Sequence, residues 1–174
     1  MTPDLYVDAL HFAARAHGGQ LTPTGLPYVV HVTTVAMEVA HALRHEPGRD
    51  EDLAVACALL HDVVEDTEIG LDAVEAAFGA RVARGVAALT KDDRLPKPER
   101  LADSLARILR EPPEVAMVKL ADRVTNLAPP PPSWSAEKIA AYREEAKLIR
   151  ERLGSASAFL AGRLAERIER YPAR

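Results

Sequence analysis

The sequence predicts an all-α protein, a single helical bundle, on three observations. Apolar residues recur at helical spacing along the chain, as in Leu5, Ala9, Phe12, Ala13 and Ala16. Ala, Leu and Val are abundant while aromatics make up 5% of residues, a composition that favours packed helices over a sheet. Gly and Pro mark most of the boundaries between the periodic segments. A length of 174 residues suggests one domain, residues 1–174, large enough for a substantial core.

The first helix is expected from Pro3 to about His17, with Pro at a position where its missing N–H costs nothing. His11 and His17 have no assigned role; His17 has the better case, at the helix end before Gly18-Gly19. Gly18 to Pro27 reads as a loop rich in Gly, Thr and Pro. Pro27 begins the second helix, where Tyr28, His31, Val35 and Val39 recur at helical spacing. Glu46 to Asp52 is a polar connection, and a helix from about Asp50 runs to Thr67 and Glu68. Leu71 to Phe78 is a short amphipathic helix stopped by Gly79. Arg81 to Thr90 is a further piece, with Val82, Val86 and Leu89 facing inward. Lys91 to Pro98 is charged and interrupted by Pro96 and Pro98, so a surface loop is expected. Helices follow from Arg100 to Leu109 and from Glu114 to Leu127, separated by Glu111-Pro112-Pro113. The run Pro129-Pro130-Pro131-Pro132 is a stiff, non-helical connector. Ser133 or Ser135 caps a helix to about Leu153; Gly154 breaks it, and Ser155 to Tyr171 forms the last amphipathic helix.

Several function classes fall away on composition. A formal charge of −4 argues against a nucleic-acid partner held by bulk charge. The N-terminus lacks a signal-peptide pattern and no apolar run is long enough to span a bilayer. A cytoplasmic protein with no membrane partner is therefore expected, its oligomeric state left open. Cys57 has no second cysteine to pair with, and its apolar neighbours point to core packing.

The stretch from Ala58 to Thr67 carries the chemistry. An apolar helix leads into His61, Asp62, Glu65 and Asp66, four side chains that bind metals or move protons. In a continuous helix His61 lies above Glu65 and Asp62 above Asp66, with Val63 and Val64 on the other side. An imidazole followed at once by a carboxylate is a mixed N/O donor set that suits Mn, Fe or Zn. Glu65 and Asp66, one turn on, are placed to take a proton from a water on that cation. A helix-end histidine bonded to a carboxylate, or a solvated acidic helix end, would give the same pattern. His31, near the start of its helix, is a candidate third ligand or a structural histidine. Asp122 falls inside an apolar segment, where a carboxylate is costly unless paired or bound to a cation, which makes it the natural fourth ligand. Arg123 beside it offers the structural alternative, pairing with an acid elsewhere. Lys91, Arg94, Lys97 and Arg100 are the most basic neighbourhood of an acidic chain, either a solvated turn or a clamp for phosphate.

With His31, His61-Asp62 and Asp122 in view, the chain resembles the HD-domain metal-dependent phosphohydrolases, whose general pattern is H…HD…D. The segments AHGGQLTPTGLPYVVH, ALLHDVVEDTE, FGARVARGVAALTKDDRLPKPER, VKLADRVTNL and WSAEKIAAYREEA resemble the hydrolase domain of the RelA/SpoT family. Leu95-Pro96-Lys97 and Trp134-Ser135 are similar to its stand-alone small alarmone hydrolases of the metazoan SpoT-homologue type. A chain of this length is expected to lack the family's nucleotide-synthesising and regulatory domains. The resemblance implies a single HD-domain helical bundle with a Mn ion (Fe, Zn and Mg being the alternatives) held by His31, His61, Asp62 and Asp122. It implies that Glu65 and Asp66 handle the nucleophilic water, and that Lys97, Asn126, Lys138 and Tyr142 line a pocket for a phosphorylated nucleotide. Lys91 joins them as a residue placed to neutralise phosphate charge.

The implied reaction is removal of the 3′-diphosphate from guanosine tetra- or pentaphosphate, giving GDP or GTP and pyrophosphate. Alternatives are an NADPH 2′-phosphatase or broader nucleotide phosphatase and, in another class, a nucleotide-sensing module without turnover. Two departures bear on specificity. Family members usually carry an Arg-Lys pair in the loop before the first metal histidine, where this chain reads Thr22-Pro23. Thr125 stands where relatives often have His or Tyr, and the proline run that follows Asn126 is unusual.

Overall fold

Two helices with almost wholly buried side chains set the architecture. α3 (Glu51–Leu60) buries every residue from Leu53 to Leu60, and α7 (Pro113–Asn126) every residue from Glu114 to Val124. The buried run of α3 is apolar on all sides and belongs in the interior, whereas α7 carries Glu114, Lys119, Asp122 and Arg123 inside with it. In this computed structural model, which describes residues 2–172, the other helices wrap these two. α1 (Pro3–Ala16) and α2 (Val29–Leu43) pack on α3, and α2 also packs on α7. α5 (Leu71–Leu89) contacts α3 and α7, with α6 (Lys97–Ile108) against it. α8 (Ala136–Leu153) and α9 (Ala158–Arg170) cover the remaining side of α7. Among the described residues the only β pairing is a single bridge between Leu21 and Pro27, so the all-α class holds. None of these helices is long and apolar enough to cross a membrane.

The helix starts follow ordinary capping chemistry. Asp50 accepts the amide of Leu53 at 3.0 Å, Ser135 that of Lys138 at 3.3 Å and Ser157 that of Leu160 at 3.1 Å. Buried Glu114 accepts the amide of Asp50 at 2.9 Å, tying the start of α7 to the start of α3. Cys57 is a buried free thiol in the core, and burial pushes it up to about 12.

Four sequence expectations need correction. The helix expected to run unbroken from Asp50 to Thr67 stops at Leu60, and a short turn of helix, α4 (Val63–Asp66), follows. His61 Nδ1 lies 2.8 Å from the Ala58 carbonyl, the group that an unbroken helix would offer to the Asp62 amide. Asp62 accordingly takes φ −100°, ψ −4°, and its own carbonyl accepts the Asp66 amide at 2.9 Å. The second helix begins at Val29 rather than Pro27, and α6 at Lys97 rather than Arg100, because Pro98 fits the first turn of a helix. The last helix starts at Ala158, after a 3-10 turn over Gly154–Ala156. Gly79 does interrupt the helix as expected: its φ of 82° and ψ of 164° kink α5 into two pieces.

Candidate active site

α2, the end of α3, the turn after it and α7 each deliver one donor to a common point. His31 Nε2 lies 3.6 Å from Asp62 Oδ2 and 3.4 Å from Asp122 Oδ1. His61 Nε2 lies 3.0 Å from Asp62 Oδ2 and 3.7 Å from Asp122 Oδ1. Ligand atoms of His31, His61 and Asp122 all fall within 4.8 Å of one another. The four side chains named from sequence as metal ligands thus converge, although they span 92 positions of chain (122 − 31 + 1).

The chemistry of this donor set fits a divalent cation. His61 Nδ1 donates to the Ala58 carbonyl, so Nε2 presents its lone pair to the cluster once the ring is neutral. That Nε2 is buried and has no hydrogen-bond partner among the described residues. A buried polar atom without a partner, facing two carboxylates, is what a missing ligand leaves behind. Without a cation the four groups must satisfy each other by charge. Burial opposes a charged His61, but Asp62 and Asp122 outweigh it and raise the imidazole to about 10. Burial would also raise both carboxyls, yet His61 holds Asp62, and Lys119 with the two histidines holds Asp122, well below the ordinary range.

Neighbouring side chains fix the donors in place. The Tyr28 hydroxyl donates to Asp62 Oδ2 at 2.6 Å. Burial, followed by the charges of Asp62, Asp66 and Asp122, pushes the phenol up, so it stays protonated. Lys119 Nζ donates to Asp122 Oδ2 at 3.2 Å, and Asn126 Nδ2 donates to Asp122 Oδ1. Sequence reasoning passed over Tyr28 and Lys119 as site residues. Each lies three residues before a candidate ligand, His31 and Asp122, the spacing that stacks helical side chains.

The two acids after the cluster differ in their surroundings. Glu65 accepts Lys91 Nζ at 2.6 Å and the Lys91 amide at 2.9 Å. Asp66 accepts Gln20 Nε2 at 3.3 Å. Partial burial and the adjacent Asp62 charge raise the Asp66 carboxyl above its ordinary value. The Gln20 amide is itself oriented by His17, whose Nδ1 lies 2.8 Å from Oε1 and whose ring sits 4.7 Å from that of Tyr28. His17 therefore has a place in the site's outer hydrogen bonding.

Of the substrate-contact candidates, Asn126 and Tyr142 line a cavity of about 380 Å³ that opens onto His31. Lys138 lies over the Trp134 indole, 4.1 Å from its centroid, and Trp134 lines the same cavity. Lys91 does not line that cavity and pairs with Glu65 instead, and Lys97 is exposed at the start of α6. The wider basic clamp does not form: Arg94 pairs with Asp92 at 2.7 Å and Arg100 with Asp93, inside their own loop. Arg123 pairs with Glu145 at 3.2 Å and lies 4.1 Å over the Tyr142 ring, the structural alternative raised from sequence.

An all-α bundle that gathers two imidazoles and two carboxylates defines a class, the helical proteins with a divalent-cation centre. A family model described as the HD domain matches residues 9–164. The human guanosine-3′,5′-bis(diphosphate) 3′-pyrophosphohydrolase MESH1 is 40% identical over 82% of this chain and 81% of its own length. The Aquifex aeolicus guanosine-3′,5′-bis(diphosphate) 3′-pyrophosphohydrolase is 35% identical over 68% of this chain and 17% of that longer protein. A solved structure of a metazoan orthologue of SpoT that hydrolyses ppGpp superposes with a TM-score of 0.84. It is 29% identical and covers 100% of this chain and 99% of that one. The chain belongs to the HD-domain family.

Proposed function

We propose that residues 1–174 form one metal-dependent phosphohydrolase domain. Its reaction removes the 3′-diphosphate of guanosine tetra- or pentaphosphate (ppGpp or pppGpp) to give GDP or GTP and pyrophosphate. The observation that carries this reading is the convergence of His31, His61, Asp62 and Asp122 around the unpartnered His61 Nε2, in a chain 40% identical to human MESH1. These four side chains would hold the cation; their mixed N/O donors suit Mn, Fe or Zn, and the resemblance to the family favours Mn2+. When bound, the cation supplies Lewis acidity that acidifies a water and screens phosphate charge.

The chain's own residues do the rest. Asp66, whose carboxyl partial burial and the Asp62 charge raise above its ordinary value, accepts the proton of the attacking water. Glu65 orients that water and, through its paired contact, holds Lys91 against the reacting phosphate. Burial lowers Lys91, but Glu65, Asp62 and Asp122 outweigh it and keep the ammonium charged. The water oxygen bonds to the phosphorus attached to O3′ and the P–O3′ bond breaks. The proton released by the water balances the one taken up by the departing 3′ oxygen. Asn126 and Tyr142 contact the nucleoside in the cavity, Lys97, exposed at the start of α6, is available to the 3′-diphosphate, and Lys138 backs the wall from its place over the Trp134 indole.

A product-resolved assay with added Mn2+ tests this reading. Pyrophosphate released from ppGpp supports it. Orthophosphate released preferentially from NADPH would favour the 2′-phosphatase alternative, and tight binding without product the sensing module.

A further inference from the structure

The surroundings of the cation centre differ in charge. Lys91 and Glu65 pair close to the cluster but do not line its cavity. That cavity, of about 380 Å³, is within the range of about 300–1,000 Å³ common for small-molecule sites. Its walls come from the loop of Thr22, Pro23 and Thr24, from Tyr28 and His31, and from Thr125 to Pro131 with Trp134, Tyr142 and Tyr171. Among the described residues lining it there is no Lys or Arg. Lys138, which borders those walls, is already held over the Trp134 indole. Arg123, packed on Tyr142, is committed to Glu145.

A nucleotide esterified at O3′ places its scissile phosphate at the cluster, and its ribose and base must then occupy the neighbouring space. Tyr142 and Trp134, with ring centroids 5.2 Å apart, offer flat apolar surfaces for a base. Phosphates on the 5′ side would meet Thr22, Pro23 and Thr24, which carry no positive charge and whose two hydroxyls hydrogen-bond each other at 3.0 Å, Thr22 also accepting the Leu26 amide at 3.2 Å. In the turn closed by the Gly25 amide on the Thr22 carbonyl (2.9 Å), Pro23 also has no backbone donor to offer. We infer that this cavity recognises the uncharged nucleoside and ignores the 5′ phosphates. The enzyme therefore also hydrolyses 3′-phosphorylated nucleosides whose 5′ hydroxyl is free, such as guanosine 3′-diphosphate, to the nucleoside and pyrophosphate. This rests on the functional reading above.

Trp134, the sole tryptophan, reports on the cavity directly. Guanosine, 5′-GMP and GDP are titrated into the full-length protein with excess Mn2+, reading fluorescence. All three should quench, with dissociation constants spanning less than about tenfold, the factor expected from one charge-assisted contact. GDP binding tenfold or more tighter than guanosine, or no quenching by guanosine, overturns the inference. Pro23→Lys, in an exposed turn, should give GDP a severalfold advantage over guanosine; an unchanged ratio puts the 5′ end elsewhere and also overturns it. In the hydrolysis arm, kcat/KM for guanosine 3′-diphosphate should lie within about tenfold of that for ppGpp. Hydrolysis of ppGpp alone refutes the inference and leaves the functional reading standing. Hydrolysis of neither refutes both.

Discussion

Tyr28→Phe isolates one hydrogen bond in the support of the cation site. The hydroxyl donates at 2.6 Å to Asp62 Oδ2, the oxygen that also lies 3.0 Å from His61 Nε2 and 3.6 Å from His31 Nε2. A neutral donor to a carboxylate is worth about 1.5–3 kcal/mol. Because burial and the neighbouring carboxylates push the phenol up, the donation persists across the neutral range. Phe keeps the ring and its neighbours His17 and His31, at centroid distances of 4.7 and 5.3 Å, so no cavity opens. Part of the bond's energy is lost from metal-free and loaded protein alike, leaving affinity to report the orientation of Asp62. Losing such an outer partner lowers metal affinity by about 10–100-fold, or about 1.4–2.8 kcal/mol. Calorimetric titration of metal-stripped protein with Mn2+ measures it. A Tyr28→Phe protein that binds Mn2+ within about twofold of the parent would refute the assignment of Asp62 as an oriented ligand.

Asp62→Ala should abolish both bound metal and hydrolysis, whereas Asp66→Asn should retain metal, read by elemental analysis, and lose about 10²-fold or more in turnover. Without a cation, His61 stays protonated up to about 10 and His31 is also raised, because Asp62 and Asp122 outweigh the opposing effect of burial. A divalent cation must expel those protons, so at pH 7 binding should release at least the one held by His61. Affinity should therefore rise with pH and fall as pH drops; titrations in buffers of different ionisation enthalpy count the protons, and a release near zero would contradict the coupling. Gly85→Ala tests the core: its Cβ would stand 2.6 Å from Cys57 Sγ and 3.2 Å from Val115 Cγ2. Overpacking of this kind costs about 1–3 kcal/mol, visible as a lower Tm, and adding Cys57→Ala should recover most of it.

Much of the fold, and which side chains meet at the candidate site, were legible in the chain itself. Apolar period, Gly79, the prolines at 112, 113 and 129–132, and Ser135 located the helices and their ends, because these signals act within one or two turns. His61-Asp62 after a buried run, and a carboxylate at 122 inside an apolar helix, named the donors, since an isolated charge there is too costly to be idle. What the chain could not disclose locally was settled by partners far away in sequence. The break at His61 depends on its ring capturing the Ala58 carbonyl while Nε2 faces the cluster, a choice that α2 and α7 make worthwhile. Lys91 goes to Glu65 while Arg94 and Arg100 stay within their own loop, a sorting that charge counts cannot foresee. The cation-free cavity arises only when the loop before α2 meets the residues after α7, for helix periodicity states which face is buried but not which loops it will bring together.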